Sequence, residues 1–453
     1  MRTKQLFGPP QESIDHLQNL TESQRPVAES LLEYLTDNYE GYDYVVLSGF
    51  AGTGKSYTLN SVIAQLDRKL ACSAPTHKAV KVLARNDKDQ VADYGTIHSF
   101  LGLKQVINNV TGEVTYAPEG NKPPKLNNYS LLLVDEASML DTKLFKLLMD
   151  YKLTRPRLRL IFSGDSLQIP PVGEPQTFVF LPTDAYKVLN LELTQIMRQA
   201  KDNPILRLAT DIRENIDSTS VFPSEKDFQI LRDEASLKEV FKTYYLDPAY
   251  ERNADFCKVL TWTNDCTSKM NGIIRDLVLK FPVSPIMPEE KMVFRKPYVI
   301  EETILFKNSD EVIVEDITVF DRTMAYYLNG KEHIAIIKCF NATMINEWDE
   351  IIHNVYILHP DDSAKYNAIF TKLKTQAIKS RSGRDWRNYY NWEGSFAWVK
   401  YNYATTTHLA QGSSYEHAIV MHSDICNNKN ITERNRIRYV AVTRAKNNLI
   451  FKI

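Results

Sequence analysis

The sequence has almost no excess of charge of either sign. Its 453 residues include 55 lysines and arginines and 56 aspartates and glutamates. A protein that binds nucleic acid through its overall charge has a basic excess. Any binding of phosphate groups must therefore come from a few locally placed side chains. The length also exceeds what one hydrophobic core usually supports, so we expect two to four domains.

Cysteine pairs and long apolar runs are also lacking. The cysteines are odd in number and have no zinc-site spacing; they are Cys72, Cys257, Cys266, Cys339 and Cys426. Scattered cysteines predict a reduced, cytoplasmic setting. No apolar run approaches the roughly 18 residues that cross a bilayer, and no charged-then-apolar leader opens the chain. We expect neither secretion nor a membrane partner.

The segment YVVLSGFAGTGKS, at Tyr44 to Ser56, is the most informative one present. A β-branched run leads into glycines whose backbone N–H groups can curl around phosphates, and the following helix directs its positive end at the same charge. Lys55 would reach the β- and γ-phosphates, and Ser56 would hold Mg²⁺. The pattern predicts an ATP site formed by Gly49, Ala51, Gly52, Thr53, Gly54, Lys55 and Ser56.

A second catalytic segment is LLLVDEASM, at Leu131 to Met139. Four apolar residues predict a buried parallel strand, and Asp135 and Glu136 follow at its carboxyl end, where open α/β sheets bind ligands. Asp135 would bind Mg²⁺ through water, and Glu136 would orient or deprotonate the attacking water.

Strand and helix patterns alternate in two blocks, which predicts an α/β fold with doubly wound parallel sheets. The first block has candidate strands at Tyr44 to Leu47, Leu70 to Ala74, Leu131 to Val134 and Leu158 to Phe162. The second has them at Lys258 to Thr261, Ala418 to Met421 and Asn448 to Phe451. A hairpin is predicted around Asn109 to Gly112, and short alternating runs between 281 and 397 predict a small antiparallel β unit.

Nine motifs share an order with superfamily 1 helicases. They are Gln24 in LTESQRPVAE, GFAGTGKS, APTHKAV, TIHSFLG, VDEAS, GDSLQIPPV, LTQIMRQ, TTTHLAQGSS and YVAVTRAKN. In this set the chain resembles the RecD-like branch most closely. The resemblance implies two RecA-like motor domains, a β-hairpin pin and a β-containing accessory domain.

The same resemblance implies roles at the nucleotide. Gln24 would read the adenine edge, and Gly412 would lie beside the nucleotide. Asp165 and Gln168 would couple the γ-phosphate to the bound strand. Arg198 and Arg444 would reach the γ-phosphate from the second motor domain, each with a delocalised charge in a fixed fork. The implied catalytic set is Lys55, Asp135, Glu136, Gln168, Arg198 and Arg444.

Nucleic-acid contacts are implied at the ends of strands in both motor domains. The expected residues are Pro75, Thr76, His77, Lys78, Thr96, His98, Thr407, His408 and Ser413. On the pin, Tyr116 would stack against bases at the fork, or it would only stabilise the hairpin across its strands. The aromatic run WRNYYNWEGSFAW from Trp386 to Trp398 would belong to an arm that braces the second motor domain against the pin, or it would stack on single-stranded bases. A third interpretation is that the run only packs the arm onto its own domain.

We therefore expect the first motor domain at 1–102 and 124–190, the pin at 103–123, and the second motor domain at 191–280 and 398–453. An accessory domain with a small β-barrel and an arm would occupy 281–397. The implied activity is that of a monomeric ATP-dependent DNA helicase that moves 5′ to 3′, acts on single-stranded DNA and duplex forks, and works with replication or recombination proteins. An RNA-directed helicase and a translocase that does not separate strands remain alternatives.

Overall fold

The computed structural model describes residues 17–35, 41–50, 52–66, 70–75, 79–80, 83–84, 92–119, 123–171, 173–195, 203–219, 221–253, 255–280, 282–300 and 303–453. None of the helices in these ranges is both long and apolar enough to cross a membrane. The chain forms two compact units. Unit 1 comprises Met1–Leu101, Pro123–Ser268 and Thr405–Ile453, and unit 2 comprises Gly102–Lys122 and Lys269–Ala404.

The first half of unit 1 is built on a six-stranded parallel sheet with the order β3-β2-β6-β7-β1-β8. Its strands are β1 Tyr44–Gly49, β2 Leu70–Ala74, β3 Ala92–Thr96, β6 Leu131–Val134, β7 Arg159–Gly164 and β8 Val188–Leu193; its helices are α1 Arg25–Tyr34, α2 Lys55–Ile63, α3 Ile97–Leu101 and α4 Thr142–Thr154. Every residue of β2, β6 and β7 is buried, as expected when helices cover both faces. The four predicted strands are confirmed, and β3 and β8 were missed.

The second half of unit 1 has a five-stranded sheet with the order β18-β10-β19-β20-β9. Its strands are β9 Gln229–Leu231, β10 Cys257–Thr261, β18 Ala404–Thr406, β19 Tyr415–Met421 and β20 Ala445–Lys452; the helices in these parts of the chain are α5 Pro204–Glu214, α6 Glu234–Tyr245, α7 Pro248–Arg252, α8 Asn264–Val278, α11 His422–Cys426 and α12 Ile431–Thr443. Strands β10, β19, β20 and β9 pair in parallel. The predicted second sheet is thus confirmed, and segments far apart in sequence meet in it.

Unit 2 begins with the pin, in which β4 Leu103–Ile107 pairs antiparallel with β5 Val114–Pro118. The turn forms because the Asn108 side chain accepts hydrogen bonds from the backbone N–H groups of Val110 and Thr111. Gly112 follows with φ +71°, in the left-handed region that favours glycine. The predicted hairpin is present in the structure.

The rest of unit 2 is a five-stranded antiparallel sheet with the order β16-β15-β14-β11-β17, a second small hairpin and two helices. The bounds are β11 Lys291–Phe294, β12 Tyr298–Ile300, β13 Thr303–Phe306, β14 Glu311–Leu328, β15 Lys331–Asn346, β16 Ile351–Leu358, β17 Val399–Tyr401, α9 Ser363–Ser380 and α10 Gly383–Glu393. We call α9 and α10 the arm. The expected short runs are parts of the long ribbon β14–β15.

A small β-barrel was expected in this part of the chain. In the sheet order, β16 and β17 are the two edge strands. The backbone N–H of Ala397, just before β17, donates to the Tyr356 carbonyl on β16 over 2.7 Å. This bond brings the two edges towards each other, as barrel closure requires, and the closed barrel remains a prediction.

Candidate nucleotide and nucleic-acid sites

The loop between β1 and α2 has the backbone shape that a phosphate site needs. Gly52 and Gly54 both have φ +83°. A Cβ on Gly49 would lie only 2.8 Å from both the Leu193 carbonyl and the Thr53 hydroxyl. Glycine is therefore required at Gly52 and Gly54 because φ is positive there, and at Gly49 because there is no space for a Cβ. Ala51 lies outside the described residues.

The Lys55 ammonium group lies over this loop. Its Nζ donates to the Gly49 carbonyl at 2.5 Å and to the Phe50 carbonyl at 3.3 Å. Burial lowers its pKa, while the charges of Asp165, Glu136 and Asp135 act in the opposite direction. Ser56 is exposed on the first turn of α2. The loop thus presents a cation and an accessible hydroxyl, which suits phosphate and a Mg²⁺ ion.

Gln24 is buried beside the same loop. Its Nε2 donates to the Thr53 carbonyl at 3.2 Å, and its Oε1 accepts from the Thr21 N–H at 3.1 Å. The amide therefore links the start of α1 to the phosphate loop, a role that the sequence did not suggest. Recognition of adenine by Gln24 remains a prediction.

Asp135 and Glu136 follow β6, at the same sheet edge as the phosphate loop. Burial raises the pKa of Asp135, and burial together with the Asp135 charge raises the pKa of Glu136. Glu136 also has a left-handed backbone (φ 51°), which is costly for a residue other than glycine and recurs at functional sites. Two half-buried carboxylates near one lysine suit a divalent cation and a general base.

The described part of the protein offers few metal ligands besides the side chains of Ser56 and Asp135. Within the described ranges, no group of three or more His, Cys, Asp or Glu side chains could hold a metal ion. A Mg²⁺ ion at this loop would therefore take ligands from a nucleotide and water as well as from Ser56 and Asp135, as Mg²⁺ commonly does. Gln168 lies close by, since its Oε1 accepts from the Ser138 hydroxyl at 3.4 Å.

The second half of unit 1 meets the first at this site. Gly412 has φ +74°, and a Cβ there would lie 3.1 Å from the Ala79 Cβ and 3.9 Å from the Glu136 Cγ. The neighbouring Gln411 donates from Nε2 to the Ile169 carbonyl at 3.0 Å. The glycine permits close approach of the second half to Glu136.

Arg444 lies at the end of α12 and is buried. Its guanidinium donates to the carbonyls of Ser413 and Val440 and to the Thr443 hydroxyl, over 2.9–3.2 Å. Its charge also lowers the pKa of Glu136, against the effect of burial. A cation of the second half thus lies close enough to influence the Glu136 carboxylate of the first. Arg198, the other expected finger, lies outside the described residues.

Asp165 links the two halves of unit 1. Its Oδ1 accepts from the Arg213 guanidinium at 2.6 Å, and its Oδ2 accepts from the Tyr439 hydroxyl at 2.5 Å. Both oxygens thus bind residues of the second half, and the expected coupling of the γ-phosphate to the bound strand remains a prediction. Arg213 also stacks on Phe50 of the phosphate loop, 5.0 Å from the ring centroid. Sequence reasoning missed Arg213, because an arginine on an amphipathic helix carries no motif.

The expected strand contacts of the first half lie at neighbouring strand ends. Pro75 follows β2, and Thr96 ends β3 opposite Ala74. The Thr96 hydroxyl accepts from the Ser99 N–H at 3.3 Å, so it caps α3. Burial lowers the pKa of His98, which favours the neutral ring. Thr76, His77 and Lys78 lie outside the described residues.

Two residues of the second half that were expected to contact nucleic acid are buried. Thr407 is completely buried, and its hydroxyl donates to the Thr261 carbonyl at 2.9 Å, so its side chain holds the sheet together. Ser413 is also buried, and its carbonyl binds Arg444. Contact of either side chain with a nucleic-acid strand remains a prediction. His408 is half-buried, and burial lowers its pKa.

Tyr116 is exposed on the pin, with 44% of its surface accessible. It lies directly opposite Gln105, whose Nε2 donates to its hydroxyl at 3.2 Å. The ring is therefore available for stacking and also takes part in a cross-strand pair, and the two hypotheses both remain.

The aromatic run of the arm is mostly buried. Trp386, Tyr389 and Trp392 pack in one apolar cluster, so these rings are not available to stack on bases. Trp386 Nε1 donates to the Asn109 carbonyl at 2.9 Å, and the Tyr390 hydroxyl donates to the Gly112 carbonyl at 2.5 Å. The arm thus contacts the turn of the pin, and bracing of the second motor domain against the pin remains a prediction.

Comparisons with known proteins agree with this site. A model of the AAA domain family matches residues 19–240, and the UvrD-like helicase C-terminal domain matches residues 401–451. A Pif1 helicase solved in a study of unwinding at forked double-stranded DNA has the same fold, with a TM-score of 0.51 at 17% identity over 95% of this chain and 91% of that one. In the order of its motifs and in these matches, the chain resembles the RecD- and Pif1-like group of superfamily 1 helicases.

Two curated relatives sharpen the assignment. The chain resembles the ATP-dependent DNA helicase dda of Enterobacteria phage T4, with 26% identity over 96% of this chain and 99% of the relative. It is also 33% identical to the ATP-dependent RecD2 DNA helicase of Deinococcus radiodurans, over 38% of this chain and 22% of that protein. The chain is thus similar to Dda over nearly its whole length.

Proposed function

We propose that this chain is an ATP-dependent DNA helicase that moves 5′ to 3′ along single-stranded DNA, separates duplex strands and is able to displace bound proteins. One observation carries the proposal most directly. Gly412 of the second half packs close to Glu136 of the first, beside the phosphate loop, and the charge of Arg444 lowers the pKa of Glu136. Binding of ATP between two such halves would close them, and hydrolysis would release them.

The residues present fit ATP with Mg²⁺. Lys55 would bind the phosphates, Ser56 and Asp135 would hold the ion, and the ion would neutralise charge on the phosphate oxygens. Glu136, whose burial raises its pKa, would orient or deprotonate the attacking water, assisted by Gln168. Arg444, and Arg198 by its motif position, would stabilise charge that develops on the γ-phosphate.

The test is unwinding of short DNA duplexes that carry either a 5′ or a 3′ single-stranded tail, with Lys55→Ala as the control. Unwinding from the 5′ tail alone, lost in the control, is the expected result. Unwinding from the 3′ tail alone would contradict the assigned direction.

The same assay separates the alternatives. ATP hydrolysis stimulated by single strands without unwinding of either duplex would indicate a translocase. An equal response to RNA and DNA tails would indicate tolerance of the 2′-hydroxyl and an RNA-directed enzyme. Action as a monomer, in the cytoplasm of a host cell and together with replication or recombination proteins, is part of the proposal.

A further inference from the structure

Unit 2 contains two adjoining cavities beside the arm. Their volumes are about 840 and 650 Å³, and Tyr327, Arg384 and Asp385 line both. We call the combined feature the arm groove and define it by its five cations and its exposed aromatic residue: Arg322, Lys372, Lys379, Arg384, Arg387 and Tyr327. None of these side chains has a role in the nucleotide site.

The charge of the arm groove is strongly positive. Asp385 is the single carboxylate that lines it, and Gln376 Nε2 already donates to its Oδ1 at 2.8 Å. Within the part of the chain that the structure describes, Lys372 and Lys379 form no salt bridge. Their charges remain exposed to solvent seven residues apart, on one face of α9.

The groove also contains an aromatic surface. Tyr327 is 41% exposed, and the Arg384 guanidinium lies 5.8 Å from its ring centroid. At the other end, Arg322 stacks on Tyr356 at 4.3 Å and donates to the Ser395 carbonyl, which fixes its position. A cationic track with an accessible aromatic ring is typical of surfaces that bind single-stranded nucleic acid without sequence preference.

The position of α10 connects the groove to the pin. Trp386 and Tyr390, four residues apart, contact the turn of the pin. Arg384, Arg387 and Asn391 line the groove instead. Because side chains four residues apart share a helix face, one helix presents one side to the pin and another to the groove.

We propose that the arm groove binds the phosphates of the displaced single strand after the pin has parted the duplex. The inference rests on the proposed helicase function. For an enzyme that moves 5′ to 3′, the displaced strand is the one that leaves a 3′ single-stranded arm at a fork. Cations hold its backbone without regard to sequence, and this hold slows reannealing behind the pin.

The test compares a fork that has both a 5′ loading tail and a 3′ arm with a duplex that has the 5′ tail alone. The variant is Lys372→Ala/Lys379→Ala, and the matched control is Lys365→Ala/Lys374→Ala, which removes the same charge from α9 outside the groove. We expect the parent and the control to bind the fork about tenfold more tightly than the duplex with the 5′ tail alone. The variant should bind the two substrates equally. The slope of log Kd against log salt on the fork should become shallower by about 1.4, for two single-strand phosphate contacts at roughly 0.7 each.

Several outcomes would overturn the proposal. A parent without any preference for the fork, or a variant that keeps the preference, would exclude the displaced strand as the occupant. Equal weakening of the fork and the tailed duplex would indicate that the groove holds the duplex instead. ATP hydrolysis stimulated by single-stranded DNA should be unchanged in the variant, so failure of the helicase proposal in the parent is distinguishable from failure of this one.

Discussion

Units 1 and 2 differ in sheet type, and the difference corresponds to a difference in chemistry. Unit 1 has two parallel sheets, and the described functional groups of the nucleotide site lie at the ends of their strands or on neighbouring helices. Unit 2 has antiparallel sheets, a hairpin and the arm, and no phosphate loop appears in its sequence. In a parallel sheet the carboxyl ends of all strands lie at one edge, where ligands bind. In a hairpin the two strands are instead joined by an exposed turn. We therefore expect ATP hydrolysis to depend on unit 1 alone and strand separation to depend on both units.

Among the variants that test this difference between the units, Arg444→Ala should have the largest effect. An arginine that stabilises the γ-phosphate contributes about 10³ to 10⁵ in rate, so ATP turnover and unwinding should fall together by about that factor. Steady-state ATPase assays at saturating DNA measure this loss. Arg434→Ala, on the same helix, should keep its activity. Unwinding that survives without ATP turnover would contradict the division between the units.

Gly112→Ala should affect unit 2 selectively. The new Cβ would lie 2.1 Å from the Trp386 ring, at a residue with φ +71°. Overpacking costs about 1–3 kcal/mol and positive φ roughly 1 kcal/mol, so we expect unwinding to fall about 30-fold while ATPase activity is kept. Gly330→Ala is the matched control, because φ there is +76° and a Cβ would meet nothing within 4 Å. Equal losses in the two variants would show that strain alone, and not the contact between pin and arm, is responsible.

Tyr439→Phe tests the link between the two halves of unit 1. It removes the hydroxyl that donates to Asp165 and keeps the buried ring. A hydrogen bond to a charged group contributes about 1.5–3 kcal/mol, so kcat for ATP should fall about tenfold while KM changes little. The Asp165 carbonyl accepts from the Gln168 N–H at 3.1 Å, so a shift of Asp165 would move Gln168. The variant should therefore misplace Gln168 and leave the binding of ATP unchanged. The control Tyr244→Phe should leave kcat unchanged. If Tyr439→Phe raises KM and leaves kcat unchanged, the hydroxyl does not act by positioning Asp165.

Tyr116→Ala should have the smallest effect. Stacking on one base is worth about 1–3 kcal/mol, and at the low end unwinding per ATP would fall about fivefold. Gln105→Ala removes the same cross-strand hydrogen bond and leaves the ring. If Gln105→Ala unwinds as poorly as Tyr116→Ala, the tyrosine only stabilises the hairpin.

Much of the nucleotide site was predictable, because its residues are neighbours in sequence. The loop from Gly49 to Ser56 and the pair Asp135 and Glu136 each combine a strand with a chemical signature within a dozen positions. Apolar runs such as Leu131–Val134 predicted the central strands for the same reason: burial on both faces leaves no polar residue to interrupt them.

The parts that failed depend on distant partners or on partial burial. The sequence did not indicate that Asp165 binds Arg213 and Tyr439, which are 48 and 274 residues away. Strand β3 contains a glycine and an aspartate and is only partly buried, so its pattern is weak. The ribbon β14–β15 exposes apolar residues such as Val319 and Ile334, which hides the alternation that would have shown its length.

The order of strands in the second sheet has a consequence for synthesis of the chain. Strand β20, at Ala445–Lys452, lies between β19 and β9, and its partner in β9 is more than 200 residues earlier. A ribosome that has made the first sheet, complete at Leu193, must add more than 250 further residues before the second sheet can close. Pairings this distant form slowly. During translation the first half of unit 1 can therefore reach its fold well ahead of the second, and a chain that stops before residue 444 would have the phosphate loop and lack Arg444.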